Sequence, residues 1–189
     1  MPQNLIAARI LADSVSPTAP RLTTWLVTMP RIILAEWNTH RKFARNAASS
    51  RAIPVEKCLQ QVEENPFVPL VWHKNRPGMQ GSEELQGAER EQAIAEWLVA
   101  RDNAVSQAKR MIELGIHKQI ANRLIEPWRY VDVLMTCCEP GLQNFFALRA
   151  EGAAEPHMQD LAYKMLDLYN GSTPKILQPG EWHIPYGDN

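Results

Sequence analysis

The sequence contains few cysteines, no excess of charge of either sign and no long apolar run. Its three cysteines include the adjacent pair Cys137 and Cys138, and an odd number with this spacing does not form a disulfide framework. We therefore predict a reduced, cytoplasmic protein. No segment approaches the roughly 20 apolar residues that span a membrane, and the N-terminus lacks the pattern of a signal peptide, so we predict no membrane partner.

Several common classes of site lack their sequence patterns here. The formal net charge of -1 argues against a nucleic-acid partner, because dedicated nucleic-acid-binding proteins usually carry a strong basic excess. The histidines and cysteines form no HxxxH, HExxH or CxxC motif, so we predict no metal site. No GxGxxG, GxxxxGKS/T or GxSxG motif occurs either, which leaves Rossmann, P-loop and hydrolase chemistry without support.

Apolar patterns predict an α+β fold in a single domain that covers residues 1–189. We expect a small, mostly antiparallel sheet packed by helices, one of them long, and an extended tail at residues 170–189. Runs rich in strand-forming residues predict three strands, which are Asn4–Val15, Arg21–Met29 and Tyr130–Cys138. Helical spacing predicts six helices, which are Ile32–His40, Val55–Glu64, Glu89–Leu114, His117–Leu124, Gly141–Arg149 and Glu155–Tyr169.

Most of the tryptophans and the cysteine pair are expected in the core, because large aromatic and small thiol side chains are commonly buried. The tryptophans expected there are Trp25, Trp37, Trp97 and Trp128. Trp72 has two interpretations: it either packs internally or lines a site for an aromatic ligand.

One segment stands out because it is basic and contains no acid. Its sequence is THRKFARNAASSR, from Thr39 to Arg51, and we expect a loop or a frayed helix end there. Guanidinium and hydroxyl groups are the donors that phosphate needs. The segment supplies guanidinium groups at Arg41, Arg45 and Arg51, an ammonium group at Lys42, hydroxyl groups at Thr39, Ser49 and Ser50, and an amide at Asn46. The alternative is a solvated basic loop that binds no ligand.

Two further arginines close apolar segments. Arg123 lies in ANRLIEP, and Arg149 ends QNFFALR. Such an arginine either rests its aliphatic stem on the surface with its charge in water or directs the charge into a cleft.

These three segments, in this order, resemble the flavin-dependent thymidylate synthases. The family signature is Arg-His-Arg, seven residues and then Ser, and the corresponding residues here are Thr39-His40-Arg41 and Ser49. ANRLIEP is similar to the family segment that supplies a substrate-binding arginine. QNFFALR is similar to the segment that supplies a flavin-contacting asparagine and a second substrate arginine. The resemblance covers roughly residues 21–166.

The resemblance implies a homotetramer that binds FAD, with NADPH and methylenetetrahydrofolate as co-substrates. FAD accepts hydride from NADPH, and a one-carbon unit moves from methylenetetrahydrofolate to C5 of a pyrimidine deoxynucleotide, converting dUMP to dTMP. Catalysis in this family needs no cysteine nucleophile, which agrees with a chain whose cysteines lie in no catalytic pattern.

The resemblance also implies roles for individual residues. Those that would contact FAD are Thr39, His40, Arg41, Cys138 and Asn144. Those that would bind the nucleotide are Glu36, Ser49, Ser50, Arg51, Arg123 and Arg149. Of the second group, Arg123 and Arg149 would be catalytic, because they would meet the pyrimidine ring and polarise its carbonyl groups.

Three positions depart from the family pattern. Thr39 replaces the first motif arginine, Glu36 replaces a glutamine near the nucleotide, and Cys138 stands where the family has an asparagine. The chain also ends at HIPYGDN, earlier than the resemblance leads us to expect. Together these departures resemble a divergent, viral-type branch, for which the expected location is the cytoplasm of the host.

Two other hypotheses remain open on the sequence. A member of such a branch could form a hydroxymethyl nucleotide, if water instead of hydride adds to the exocyclic methylene. Alternatively, the basic segment could serve a non-catalytic module that binds nucleotides or nucleic acid without flavin, in which case binding to nucleic acid would weaken with salt.

Overall fold

The computed structural model describes residues 3–78 and 81–186. Within these ranges the chain forms two compact units. The first comprises residues 3–5, 30–32 and 48–131, and the second comprises residues 6–29, 33–47 and 132–186.

Five strands form a mixed sheet whose order is β3-β4-β2-β1-β5. Their bounds are Ala7–Ser16 (β1), Ala19–Pro30 (β2), Ala44–Ala47 (β3), Tyr130–Cys138 (β4) and Lys175–Ile176 (β5). β1 pairs with β2 and β3 pairs with β4 in antiparallel orientation, whereas β5 runs parallel to β1. The α+β class predicted from the sequence is confirmed.

The core of the second unit follows the alternation of its strands and the helical spacing of its last helix. On β4, Val133, Met135 and Cys137 point to one face and are buried, as the two-residue period of a strand requires. Residues of α6 (Pro156–Gly171) three and four positions apart form a matching buried stripe. This stripe consists of Met158, Leu161, Ala162 and Met165.

The first unit is built mainly from helices. They are α2 (Val55–Glu64), the long α3 (Gly87–Glu113), the short α4 (Lys118–Ala121) and a 3-10 helix, Asn122–Trp128. α2 buries Val55, Cys58, Leu59 and Val62 at helical spacing, and these pack with Val105, Ala108, Ile125 and Trp128. The Trp97 indole packs against this cluster and donates a hydrogen bond of 2.8 Å to the Phe67 carbonyl.

The remaining helices are α1 (Leu34–Trp37), which follows a 3-10 turn at Arg31–Ile33, and α5 (Glu139–Arg149). None of the helices in the described part of the chain is long and apolar enough to cross a membrane.

The helices and strands whose apolar residues recur at regular spacing lie where the sequence predicts them. The helix Val55–Glu64 and the strand Tyr130–Cys138 have the predicted bounds, and the long helix is confirmed within two residues at either end. The core positions of Trp25, Trp37 and Trp128 are also confirmed.

Two local predictions were wrong, and one short strand was not predicted. The segment predicted as a loop or frayed helix end contains β3, whose small and polar residues carry no apolar signal and which forms by pairing with β4. The first predicted helix, Ile32–His40, is only a 3-10 turn followed by four residues of α1. The strand that was not predicted is β5, which lies within the tail expected to be extended; its two residues are too few to form a pattern.

Candidate functional site

The candidate site residues divide between the two units. Those in the second unit are Glu36, Thr39, His40, Arg41, Cys138, Asn144 and Arg149. Those in the first unit are Ser49, Ser50, Arg51 and Arg123. Each group makes its own contacts.

In the second unit, Arg149 contacts two other candidates, Glu36 and His40. Arg149 is the last residue of α5, Glu36 lies on α1, and His40 follows α1. The guanidinium donates from Nη1 to Glu36 Oε1 and from Nε to His40 Nε2 at 3.1 Å. We call these three residues the Arg149 cluster. Two acceptors on two sides hold the guanidinium, while its Nη2 has no hydrogen-bond partner within residues 3–78 and 81–186.

His40 is a neutral acceptor in this cluster. Its side chain is buried, with the ring edge-on to Phe145 at a centroid distance of 4.9 Å. Burial, followed by the charges of Arg149 and Arg45, lowers the pKa of His40 from 6.5 to about 4. The ring is therefore uncharged at pH 7, and Nε2 can accept the hydrogen bond from Arg149 only in this state.

Arg45 holds the loop that carries His40. From β3, its guanidinium donates to the Asn38 side chain at 2.7 Å and to the Asn38 carbonyl at 2.6 Å. It also donates to the carbonyl groups of His40 at 3.2 Å and Phe43 at 2.9 Å. One cation of the basic segment is therefore used inside the protein to fix backbone, a role that the sequence did not indicate.

Three other candidates in the second unit are exposed. Thr39 uses its hydroxyl to bond the Glu36 carbonyl at 2.7 Å. The side chains of Arg41 and Asn144 are exposed and make no hydrogen bond with any residue that the structure describes. Both therefore have donors available for a ligand.

Gly141 sets the position of α5, the helix that carries Asn144 and Arg149. A Cβ atom at Gly141 would lie 2.3 Å from Cys137 Sγ and 3.2 Å from Lys42 Cβ, so a larger residue would displace the helix. The same packing buries Cys137 and raises the pKa of its thiol to about 11. A protonated, buried thiol is a poor nucleophile. Cys138 is half-buried and comes directly before α5.

In the first unit, two hydrogen-bond donors and a third, ion-paired guanidinium converge on one carboxylate oxygen, Glu126 Oε1. Ser50 Oγ donates to it at 2.9 Å, and Arg123 Nη1 donates at 3.4 Å. Arg31 Nε forms an ion pair with the same oxygen at 3.0 Å. We call these four residues the Arg123 cluster. Asn122 supports it by donating from Nδ2 to the Ser50 carbonyl at 2.8 Å.

The candidate residues of the first unit differ in exposure and in whether their side chains are already hydrogen-bonded inside the protein. Ser50 is 2% exposed, and its hydroxyl is bonded to Glu126. By contrast, Ser49 and Arg51 are exposed, and among the residues that the structure describes Ser49 Oγ accepts only the backbone N–H of Arg51, at 3.3 Å. The Arg123 side chain is 54% exposed, so its charge can move.

Sequence reasoning missed Glu126, Asn122 and Arg31. Glu126 lies in ANRLIEP, three residues after Arg123, and this spacing of opposite charges on a helix was a usable signal. Arg31 is distant in sequence and gave none.

Each cluster can bind a ligand that accepts hydrogen bonds. Each combines a nearby carboxylate with a guanidinium some of whose N–H groups have no partner among the described residues. Each cluster can therefore donate to an anion or a carbonyl oxygen and can also accept from a ligand N–H. Within the described residues, no group of three or more His, Cys, Asp or Glu side chains could hold a metal ion.

Comparisons with known proteins identify one family and one fold. A family model described as thymidylate synthase complementing protein matches residues 6–175. The fold is similar to that of the UMP/dUMP methylase PolB from Streptomyces cacaoi bound with 5-Br UMP, with a TM-score of 0.72, 17% identity, and coverage of 89% of this chain and 90% of that chain. The same methylase bound with 5-Br dUMP gives a TM-score of 0.64 and 19% identity, over 80% of this chain and 66% of that chain. The sequence matches no curated protein.

Proposed function

We propose, because the chain belongs to the thymidylate synthase complementing protein family, that it transfers a one-carbon unit from methylenetetrahydrofolate to C5 of a pyrimidine deoxynucleotide. The proposed reaction converts dUMP to dTMP, with FAD as the cofactor and NADPH as the source of hydride. A pyrimidine nucleotide as substrate is supported by the fold, since the similar methylase is described as acting on UMP and dUMP. We also propose that the enzyme is a homotetramer.

The Arg149 cluster is the observation that carries this proposal. Modification at C5 requires that carbon to act as a nucleophile, and negative charge then develops on a ring carbonyl oxygen. A guanidinium held by Glu36 and a neutral His40 is a fixed donor that can stabilise this charge without reorganising. We assign this role to Arg149, acting through the N–H groups that its two partners leave free.

The exposed cationic and hydroxyl side chains support binding of the phosphorylated ligands. Arg41 and Asn144 have no hydrogen-bond partner within the described residues. A guanidinium suits the phosphates of FAD, and an amide suits the acceptors of its ring system. When bound, FAD in its reduced form would supply the hydride that completes the methyl group. Ser49 and Arg51 remain available for the nucleotide phosphate.

A second candidate reaction is favoured by Glu36. Its carboxylate is 31% exposed beside Arg149, where it could take a proton from a water molecule. If the oxygen of that water adds to the exocyclic methylene, the product carries a 5-hydroxymethyl group. A glutamine at this position would not serve as a base.

The visible absorbance spectrum of the purified protein is the first test. We expect flavin bands that persist after addition of FAD and desalting, and a colourless protein that retains no FAD would overturn the proposal. The flavin-loaded protein is then incubated with dUMP, methylenetetrahydrofolate and NADPH, and the nucleotide is analysed by mass spectrometry. A methyl product supports thymidylate synthesis, whereas one additional oxygen supports the hydroxymethyl product and excludes the first reaction.

A further inference from the structure

Glu126 has the contacts that a bound anion would have. Its Oε1 atom accepts hydrogen bonds from Ser50 Oγ at 2.9 Å and Arg123 Nη1 at 3.4 Å. Arg31 Nε lies 3.0 Å from the same oxygen as an ion pair, and this buried nitrogen has no hydrogen-bond partner within the described residues. These donors come from three separate segments of the first unit. Two guanidinium groups and a hydroxyl around a single oxygen are the arrangement by which proteins hold a phosphate or carboxylate oxygen.

We infer that Glu126 occupies an oxyanion-binding site formed by Arg31, Ser50 and Arg123, and that it thereby sets the affinity of this site for phosphate. A ligand phosphate must displace the Glu126 carboxylate or share the donors with it. The inference rests on the proposed function only in taking the nucleotide phosphate as the natural ligand.

Two of the three groups, Ser50 and Arg31, are held in place before any ligand arrives. The Ser50 side chain is buried, and Asn122 anchors its backbone by donating to the carbonyl groups of Ser50 at 2.8 Å and Ile53 at 3.3 Å. The Arg31 side chain is only 15% exposed. A buried guanidinium requires a counter-charge, and within the cluster Glu126 supplies it.

The positive charge near Glu126 favours binding of an external anion when the Glu126 side chain turns away from the site. Arg129 is also buried, and its pKa is lowered mainly by burial; Cys58 acts in the opposite direction, and the smaller effects are a lowering by the charge of Arg31 and a raising by Glu126. Arg129 therefore adds positive charge to the surroundings of Glu126, although its own Nε donates to Gln61 Oε1 at 3.1 Å. The Glu126 side chain is 21% exposed, so it can turn toward water without opening the core.

Binding of inorganic phosphate to the full chain tests the inference, with Glu126→Gln as the main variant. The substitution removes the competing charge and keeps the shape, so we expect phosphate to bind at least roughly tenfold more tightly by calorimetry. Glu96→Gln, an exposed position on α3, is the matched control with the same change in net charge and is expected to bind phosphate as the wild type does. Equal or weaker phosphate affinity in Glu126→Gln would overturn the inference.

A second variant covers the case in which Glu126→Gln does not fold. Arg123→Ala removes a side chain that is 54% exposed, so folding is expected to persist, and the loss of one donor is expected to weaken phosphate binding about fivefold. Unchanged phosphate affinity in Arg123→Ala would contradict the proposed phosphate site.

A folded Glu126→Gln protein is also expected to gain more thermal stability from added phosphate than the wild type. Since these measurements need no flavin or nucleotide, they can fail while the proposed reaction stands, and the reverse also holds.

Discussion

The Arg149 cluster and the Arg123 cluster both pair an arginine with a glutamate, but the arginine is the fixed residue in the first cluster and the glutamate is the fixed residue in the second. In the first, Arg149 is fixed: its side chain is 21% exposed and it donates to both Glu36 and His40. In the second, the carboxylate of Glu126 is fixed by several donors, while Arg123 is 54% exposed and reaches it over 3.4 Å. Two arginines that end similar apolar segments therefore differ in mobility.

This difference has consequences for ligand binding. A guanidinium that is already ordered loses little conformational freedom when a ligand arrives, so most of its interaction energy stabilises the bound state. An exposed arginine must lose rotamer entropy of up to about 2 kcal/mol when it is ordered. We therefore expect Arg149 to contribute more to the reaction than Arg123.

Replacing each arginine by alanine tests that expectation and has the largest predicted effect. Arg149→Ala is expected to lower kcat/KM for the nucleotide by roughly 100-fold or more, the loss typical of removing one fixed donor to a developing charge. Arg123→Ala is expected to lower it by about tenfold, the cost of one exposed charge-assisted hydrogen bond. Steady-state kinetics with dUMP measures both.

Arg149→Lys is the control for the first variant. It retains the positive charge but cannot donate to Glu36 and His40 in the same planar arrangement, so most of the loss should remain. Similar losses in Arg149→Ala and Arg123→Ala would show that mobility does not distinguish the two residues.

The sequence predicted the elements of the fold far better than the internal contacts of the site. Val55–Glu64 could be delimited because its apolar residues recur at helical spacing, whereas β3 consists of small and polar residues and depends on a partner strand for its form. The pairing of Glu36 with Arg149 joins residues 113 positions apart. No local pattern encodes such a contact, so the sequence identified both residues without indicating that each holds the other.

The two clusters should also differ in their response to pH, because only the Arg149 cluster contains an imidazole. The pKa of His40 is lowered from 6.5 to about 4 in the folded protein, so between these values the unfolded chain binds a proton that the folded protein does not. The contribution of His40 is therefore complete above pH 6.5 and is lost as the pH falls toward 4. We expect the loss of this contribution to lower the free energy of unfolding by about 2 to 3 kcal/mol when the pH is changed from 7 to 4.5.

His40→Gln isolates this effect, because glutamine can still accept from Arg149 but does not titrate. Urea unfolding at both pH values should show a smaller loss in His40→Gln than in the wild type. Ser50→Ala, which alters the other cluster, should retain the wild-type pH dependence. If the wild type and His40→Gln lose the same free energy, the titration of His40 does not govern acid stability.

The smallest expected difference is in the coupling energy of each arginine–glutamate pair, measured by a double-mutant cycle in urea unfolding. For Arg149 and Glu36, whose side chains are 21% and 31% exposed, we expect a coupling of about 1 kcal/mol. For Arg123 and Glu126, the exposed guanidinium and the long contact should reduce it to under about 0.5 kcal/mol. Raising the salt concentration should weaken the second coupling proportionally more, because exposed charges are screened more strongly. A larger coupling for the Arg123 pair would reverse the comparison, since it would mean that the exposed arginine is held in place by its carboxylate and that Arg149 owes its position mainly to His40.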